Sequence, residues 1–260
     1  MSVKKIIKKL LGESNIIRIK NLAEKYSKTQ QVEISKRQHF YEKFISKNNL
    51  CFDVGANIGN RITPLLNIGA RVIAIEPQEN CQNHLKIKFG NKIILVSKGL
   101  CEEESVRQFH INTTSSTISS FSDEWINSVK QERFKEENWD KIINVQMTTL
   151  DNLIKEYGVP TFIKIDVEGY ELEVLKGLSK PVKMISIEYT VPEQSGRLEE
   201  CIKTVENINP NILCNFSIGE SMEWASEKWF SVPDFLEYVR TPEFIRSEFG
   251  DVYIKDNTNL

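Results

Sequence analysis

The stretch from residue 50 to residue 69 constrains the fold more than any other part of the sequence. Leu50–Val54 has the mostly apolar character of a buried strand, and it runs directly into the turn Gly55–Gly59. Arg61 to Ile68 then predicts a helix, which Gly69 ends. In a strand, glycine turn and helix of this kind, the glycines admit backbone angles that other residues avoid and let a ligand approach the main chain closely.

The same alternation of strand and helix continues along the chain. Further strands are predicted at Val72–Ile75, Ile93–Val96, Phe162–Ile165 and Met184–Ile187, with helical patterns between them. This alternation predicts a Rossmann-like α/β fold, in which helices cover a mostly parallel sheet. One such domain with a short extension accounts for the 260 residues.

Two segments depart from the alternation. Residues 1–48 are predicted to form an N-terminal helical extension to the α/β domain of residues 49–260. Within that domain, a polar run and then a charged stretch over about residues 112–144 predict an insertion that overhangs the site, the alternative being an ordinary surface loop and helix. The late elements are expected to be strands at Ile212–Phe216, Glu223–Trp229 and Asp251–Ile254, with a helix at Val232–Arg240.

The first 12 residues predict a basic amphipathic helix. Apolar side chains from Val3 to Leu11 recur at helical spacing, with four lysines between them. We expect the apolar face to pack on the domain or on a partner subunit. Peripheral contact with an anionic membrane surface is the alternative.

The uneven distribution of charge limits the classes of partner. Residues 1–50 hold 12 Lys/Arg and 4 Asp/Glu, whereas the remaining residues hold 22 and 32. An acidic body argues against extended binding to a phosphate backbone, so nucleic acid is not the expected partner. No apolar run approaches the roughly 20 residues that span a bilayer, and no signal peptide is readable. We therefore expect a cytoplasmic protein, with the inner membrane surface as the peripheral alternative.

Metal and disulfide chemistry are not indicated by the cysteines. The five cysteines form no CxxC pair and have no histidine at metal-ligand spacing. We expect reduced and mostly buried thiols, and we assign no metal ligands.

The glycine turn and the next strand end predict a cofactor site. The turn offers only Gly55 and Gly59, so it departs from the G-x-G-x-x-G fingerprint that cradles a pyrophosphate. A methionine-type cofactor has no phosphate to bind. Asp53 is suited to its amino group, and Glu76 lies where a ribose would present its hydroxyls. Lys98-Gly99-Leu100 follows the third strand and could border the adenine. The candidate cofactor residues are Asp53, Gly55, Ala56, Asn57, Gly59, Glu76, Pro77, Gly99, Leu100 and Asp166.

A second set of polar residues follows the strands at 162–165 and 184–187. Asp166 and Glu168 come directly after the first of these strands, and Glu188 comes after the second. Because ligands bind beyond the carboxyl ends of parallel strands, we expect these acids to lie beside the cofactor. Glu171 is interpreted as an acid that merely favours a helix N-terminus.

These motifs closely resemble the FkbM family of methyltransferases over roughly residues 38 to 190. The resemblance is carried by Phe52–Gly59, by Ile75-Glu76-Pro77 and by Lys164–Glu171 with Val174–Gly177. It implies a class I methyltransferase fold with a seven-stranded sheet, S-adenosylmethionine as cofactor, and O-methylation of a hydroxyl on a sugar, glycan or small metabolite. The N-terminal helix lies outside it.

A hydroxyl is a poor nucleophile at neutral pH, so O-methylation needs a group that takes its proton. Asp166 and Glu188 are the candidate bases. Glu168 is expected to position the acceptor, and Lys164 is expected to balance the charge. The acidic lining could instead hold a divalent cation that orients the hydroxyl.

Three other functions remain open on sequence grounds. Lys164, Asp166 and Glu188 are faintly similar to the sets used for RNA ribose methylation, although the acidic body opposes it. A nicotinamide oxidoreductase is a weaker alternative, because the sequence lacks both the third glycine of the fingerprint and a Tyr-x-x-x-Lys pair. A non-catalytic scaffold would dock through the basic N-terminal helix. The acceptor's identity and the oligomeric state are not readable.

Overall fold

Seven of the eight predicted strands form, and the structure adds a smaller three-stranded sheet. The structure is a computed structural model that describes residue 15, residues 28–131 and residues 133–258. Within these residues the strands are β1 Leu50–Val54, β2 Arg71–Ile75, β3 Ile93–Val96, β4 Gly99–Leu100, β5 Val106–Ile111, β6 Lys141–Thr148, β7 Phe162–Ile165, β8 Met184–Thr190, β9 Ile212–Ile218 and β10 Phe249–Asp256. The helices are α1 Lys28–Tyr41, α2 Ile62–Ile68, α3 Glu79–Phe89, α4 Asp123–Gln131, α5 Leu150–Tyr157, α6 Glu171–Lys176, α7 Ser195–Ile208, α8 Val232–Tyr238 and α9 Pro242–Ile245.

The main sheet has seven strands in the order β3-β2-β1-β7-β8-β10-β9. All its pairings are parallel except those of β10, which runs antiparallel between β8 and β9. The chain builds outward from β1 in one direction and later returns to its other side with β7. This arrangement makes the β1/β7 boundary a topological switch point, where the carboxyl ends of the strands open a crevice. The predicted α/β fold with a mostly parallel seven-stranded sheet is confirmed.

Helices cover both faces of the sheet, and each face has its own core. Successive strand residues point to opposite faces, so Phe52 and Ile163 belong to one core whereas Cys51 and Phe162 belong to the other. The first core is completed by α5, α6, α7 and α8, and the second by α1, α2 and α3. All five cysteines are buried free thiols.

Helix α1 packs directly on the sheet. Phe40 and Tyr41 are 1% and 0% exposed, and their rings contact those of Tyr253 and Phe162, respectively. The amphipathic helix predicted for residues 3–11 lies outside the described residues. Across residues 28–131 and 133–258, no helix combines the length and apolar character needed to cross a membrane.

Two predictions near the C-terminus have different outcomes. The helix predicted at Val232–Arg240 is observed as α8, whose first turn is capped by the Ser231 side chain. The strand predicted at Glu223–Trp229 is wrong, because that segment forms a loop. The Asn215 side chain holds the backbone of Ser226. The loop therefore folds back on β9 without forming a ladder.

Candidate active site

A cleft opens at the carboxyl ends of β1, β2, β7 and β8, at the switch point of the sheet. Its cavity volume is about 250 Å³, and the cleft is open to solvent at its mouth. Residues of both predicted sets line it: Asp53, Gly55, Ala56, Asn57, Glu76, Pro77, Gly99, Leu100, Asp166, Glu168 and Glu188. Gly59 and Lys164 lie behind the cleft wall.

The two loop glycines are required for different packing reasons. Gly55 has φ +82°, and a Cβ built there would lie 1.8 Å from the backbone oxygen of Asp166. Gly55 therefore lets the first loop approach the end of β7. Gly59 has φ +78°, and its Cβ would lie 2.4 Å from the Phe89 ring. The structure thus places Gly59 against α3, where its missing side chain makes room for packing.

Glu76 organises the floor of the cleft. Its two carboxylate oxygens accept hydrogen bonds from the backbone N–H of Asn57 at 2.8 Å and of Gln78 at 2.7 Å. The side chain is buried, and burial raises the pKa of Glu76 to about 7 against the opposing effect of these two hydrogen bonds. Asn57 has φ +45°, a left-handed conformation that aims its N–H at Glu76. One carboxylate therefore fixes the loops after both β1 and β2.

Asp53 presents an unpartnered oxygen at the cleft wall. The residue is 2% exposed, and its Oδ2 has no hydrogen-bond partner among the described residues. Burial raises the pKa of Asp53 to about 6, although the Lys164 and Arg61 charges oppose the shift. An unsatisfied buried carboxylate oxygen costs free energy unless a ligand donor completes it. The donor that best fits this position is a cation or an amine.

A polar lid from the segment between β5 and α4 closes one side of the cleft. The backbone oxygen of Ser116 accepts from Gln78 Nε2 at 3.0 Å, and its hydroxyl lies 3.4 Å from Asn57. Thr117 and Ser119 also line the cleft. Part of the segment predicted to overhang the site therefore does contact the cofactor loop, although the segment ends in the regular strand β6.

Aromatic rings form the wall beside Gly99 and Leu100. Phe121 lies between Phe109 and Tyr170, with ring centroids 4.3 and 5.4 Å away, and all three side chains line the cleft. Sequence reasoning missed this wall. Its residues come from β5, the segment before α4 and the turn before α6, which no local pattern connects.

Three carboxylates meet at the opposite end of the cleft. Oxygens of Asp166, Glu168 and Glu188 all lie within 4.8 Å of one another. Burial, together with the neighbouring acids, raises the pKa of Glu168 and of Glu188 well above the ordinary value. Like charges so close oppose one another's ionisation.

Lys164 decides which of the three acids is ionised. Its Nζ lies 3.0 Å from Asp166 Oδ2, and the side chain is 1% exposed. Burial alone would raise the pKa of Asp166, but the Lys164 and Arg61 charges and the hydrogen bonds to the carboxyl together outweigh it, so the pKa is lowered. Lys164 also contacts Asp251 Oδ1 at 2.9 Å. Lys164 therefore forms two ion pairs, one with the partly exposed Asp166 and one with the buried Asp251.

Two side-chain contacts hold the turn that carries Asp166 and Glu168. Glu168 has φ +54°, and its backbone oxygen accepts from the Ser120 hydroxyl at 2.6 Å. The Glu171 carboxylate accepts from the N–H groups of Val167 and Gly169, each at 3.1 Å. Glu171 thus shapes the turn besides lying in the first turn of α6.

An ion pair that the sequence did not reveal borders the acidic end. Arg61 Nη1 and Nη2 each lie 2.7 Å from an oxygen of Glu220, a bidentate arrangement. Both residues line the cleft. Glu220 also receives Lys36 Nζ on its backbone oxygen at 2.9 Å, and Arg37 approaches its carboxylate at 3.4 Å. Helix α1 and the loop after β9 are therefore tied together at the mouth of the cleft.

Comparison with known proteins identifies the family. The family model described as the methyltransferase FkbM domain matches residues 53–241, most of the chain. The chain belongs to the FkbM methyltransferase family. No curated protein matches this chain. The strand order of the main sheet, with its antiparallel β10, is that of a class I methyltransferase.

Solved methyltransferase structures resemble this FkbM methyltransferase at low identity. A TehB-like SAM-dependent methyltransferase from Corynebacterium glutamicum has a TM-score of 0.44 and 10% identity, covering 85% of this chain and 88% of that one. A precorrin-6y C5,15-methyltransferase from Geobacter metallireducens has a TM-score of 0.42 and 10% identity, covering 86% of this chain and 84% of that one. An rRNA methylase from Streptococcus thermophilus has a TM-score of 0.41 and 11% identity, covering 84% of this chain and 93% of that one.

Proposed function

We propose that this FkbM methyltransferase uses S-adenosylmethionine to methylate a hydroxyl of an uncharged sugar, glycan or small metabolite. The observation that carries the proposal is the continuity of one cleft. Its first half offers Asp53 and Glu76, whose free acceptor positions suit an amine and a ribose. Its second half offers the Asp166, Glu168 and Glu188 carboxylates, which suit a hydroxyl that must lose a proton.

The residues of the first half fit the methionine cofactor group by group. Each Glu76 oxygen already accepts one backbone N–H and retains a lone pair for a ribose hydroxyl. The unpartnered Asp53 oxygen suits the cationic amino group. Leu100 and the Phe121 ring provide an apolar surface for a base. When bound, S-adenosylmethionine supplies a methyl group already activated by its positively charged sulfur.

Of the two candidate bases, Glu188 is favoured by the geometry. Asp166 is paired with Lys164, which lowers its pKa and makes it the weaker proton acceptor. The pKa of Glu188 is raised by burial and by its acidic neighbours, so its anion binds a proton more strongly. Held by Asp53 and Glu76, the cofactor would supply the methyl group that the acceptor oxygen receives. The hydroxyl proton passes to Glu188, which is ionised beforehand.

Bound cofactor favours this ionised state, because a nearby positive charge stabilises a carboxylate anion. Positioning of two bound molecules then supplies most of the acceleration. Asp166 and Glu168 lie within hydrogen-bonding range of the same space and are proposed to orient the acceptor hydroxyl.

The three carboxylates also have the spacing of a metal-binding set. We propose that the reaction does not need a cation there, because Lys164 Nζ already places a positive charge 3.0 Å from Asp166 Oδ2. The same negative end disfavours an RNA acceptor, whose phosphates it would repel.

The test of the proposed function is isothermal titration with S-adenosylmethionine, S-adenosylhomocysteine and NAD, followed by transfer of a labelled methyl group to neutral glycans and to RNA. Saturable binding of the two methionine ligands without NAD, and labelling of a glycan, are expected. Labelling of RNA alone would replace the acceptor class. Absence of any binding would overturn the proposal and favour the scaffold.

A further inference from the structure

Beneath the acidic end of the cleft lies a buried chain of charges that reaches beyond the residues matched by the family model. Asp251 is on β10, is 2% exposed, and pairs across the sheet with Glu188 on β8. Its Oδ1 accepts from Lys164 Nζ at 2.9 Å and lies 3.4 Å from the Ser186 hydroxyl. Its Oδ2 lies 3.8 Å from Arg61 Nη2. Asp251 therefore contacts Arg61, which lines the cleft, and Lys164 and Ser186, which lie behind its wall, without lining the cleft itself.

The position of Lys164 depends on this contact. A buried ammonium is stable only when acceptors satisfy its charge and its N–H groups. Lys164 Nζ is hydrogen-bonded to Asp166 on one side and to Asp251 on the other, at nearly equal distances of 3.0 and 2.9 Å. Two carboxylates against one ammonium leave this group of three with a net negative charge. Without Asp251, the group would be neutral and Lys164 would be held from one side only.

We infer that Asp251 is a positioning residue for methyl transfer: through Lys164 it holds the Asp166 carboxylate at the junction of the two halves of the cleft and keeps that junction negative. The inference rests on the proposed function, because it is the methyl donor's sulfonium that benefits from a negative junction. The neutral product S-adenosylhomocysteine gains nothing from it.

The experiment compares two known ligands and therefore needs no acceptor. Asp251→Asn keeps an oxygen for Lys164 but removes the charge. We expect it to weaken the binding of S-adenosylmethionine about fivefold more than the binding of S-adenosylhomocysteine. This is the size of one charge interaction across several ångströms of partly hydrated protein. Asp256→Asn is the matched control. Asp256 lies at the far end of the same strand and contacts Asn209 at 2.9 Å, so this variant should leave the ratio of dissociation constants unchanged.

Asp251→Ala provides the second comparison, because it also removes the oxygen that accepts from Lys164. It should lower the affinity for both ligands, and the affinity for S-adenosylmethionine should fall more than that for S-adenosylhomocysteine. If Asp251→Ala does not fold, Asp251→Asn alone decides. Equal weakening of both ligands, or no change in either, would assign Asp251 a structural role and overturn the inference. Failure of the unmodified protein to bind either ligand would instead overturn the proposed function.

Discussion

Removal of the Glu76 carboxylate should uncouple the cofactor from the floor of the cleft. In the ligand-free protein, each of its oxygens accepts one backbone N–H, from Asn57 at 2.8 Å and from Gln78 at 2.7 Å. One lone pair on each oxygen remains for a ribose hydroxyl. Hydrogen bonds to a charged group contribute about 1.5–3 kcal/mol each, so two of them amount to about 3–6 kcal/mol.

Glu76→Ala should realise the lower end of this range. Water can enter the space left by the side chain and hydrate both the ribose hydroxyls and the two freed N–H groups. A loss of about 3 kcal/mol corresponds to a dissociation constant for S-adenosylmethionine that is roughly 150-fold higher. Loosening of the two loops would add to this effect, because Glu76 fixes both of them.

Isothermal titration measures the change, with thermal unfolding as a check that the variant is folded. Glu79→Ala is the matched control, because Glu79 lies three residues away in the first turn of α3 and is exposed. That variant should bind the cofactor like the unmodified protein. A folded Glu76→Ala protein whose affinity is within about threefold of the unmodified value would refute the assigned role of Glu76.

Three further predictions follow from the structure. Burial raises the pKa of Glu76 and of Glu171 to about 7, so the native state binds protons that the unfolded chain has released. The free energy of unfolding of the ligand-free protein, measured by urea denaturation, should therefore fall between about pH 5 and pH 8 by up to about 3 kcal/mol per group, and a flat or rising profile would contradict this. Glu188→Gln should lower kcat at least about 100-fold while S-adenosylmethionine binds unchanged in titration, and an unaffected kcat would exclude Glu188 as the base. Gly55→Ala should lower the melting temperature by about 10 °C or prevent folding, because its Cβ would overlap the main chain of β7's end. Gly196→Ala, where no atom lies within 4 Å of the added Cβ, should leave the melting temperature unchanged or slightly raised.

The features that the sequence predicts well depend on local order. The strands predicted at Leu50–Val54 and Ile93–Val96 have the same bounds in the structure. The place of Glu76 in the cleft follows from the strand before it, because the residue after a parallel strand lies at the ligand-binding edge. The turn after Phe162–Ile165 places Asp166 by the same logic. In each case, a run of adjacent residues contains the whole signal.

The features that the sequence does not reveal depend on distant partners. Arg61 is predicted only as the first residue of a helix, yet it forms an ion pair with Glu220, which is 159 residues away. Asp251 is predicted only as the first residue of a late strand, yet it is buried against Lys164, 87 residues earlier. The register of an antiparallel strand inserted between two others sets that contact, and no spacing in the sequence encodes it. Glu223–Trp229 shows the opposite error, because tertiary hydrogen bonds from Asn215 override a local strand pattern.

The position of β10 determines when the cleft can form. This strand is the last one described in the chain, but it lies inside the sheet between β8 and β9. Until it is in place, β8 and β9 lack their shared partner and Lys164 lacks one of its two carboxylates. Contacts between residues so far apart in sequence form late, because closing a long loop is entropically costly. A chain emerging from the ribosome can therefore build the cofactor loop early, but it acquires a complete acceptor end only once its last strand has been synthesised and inserted.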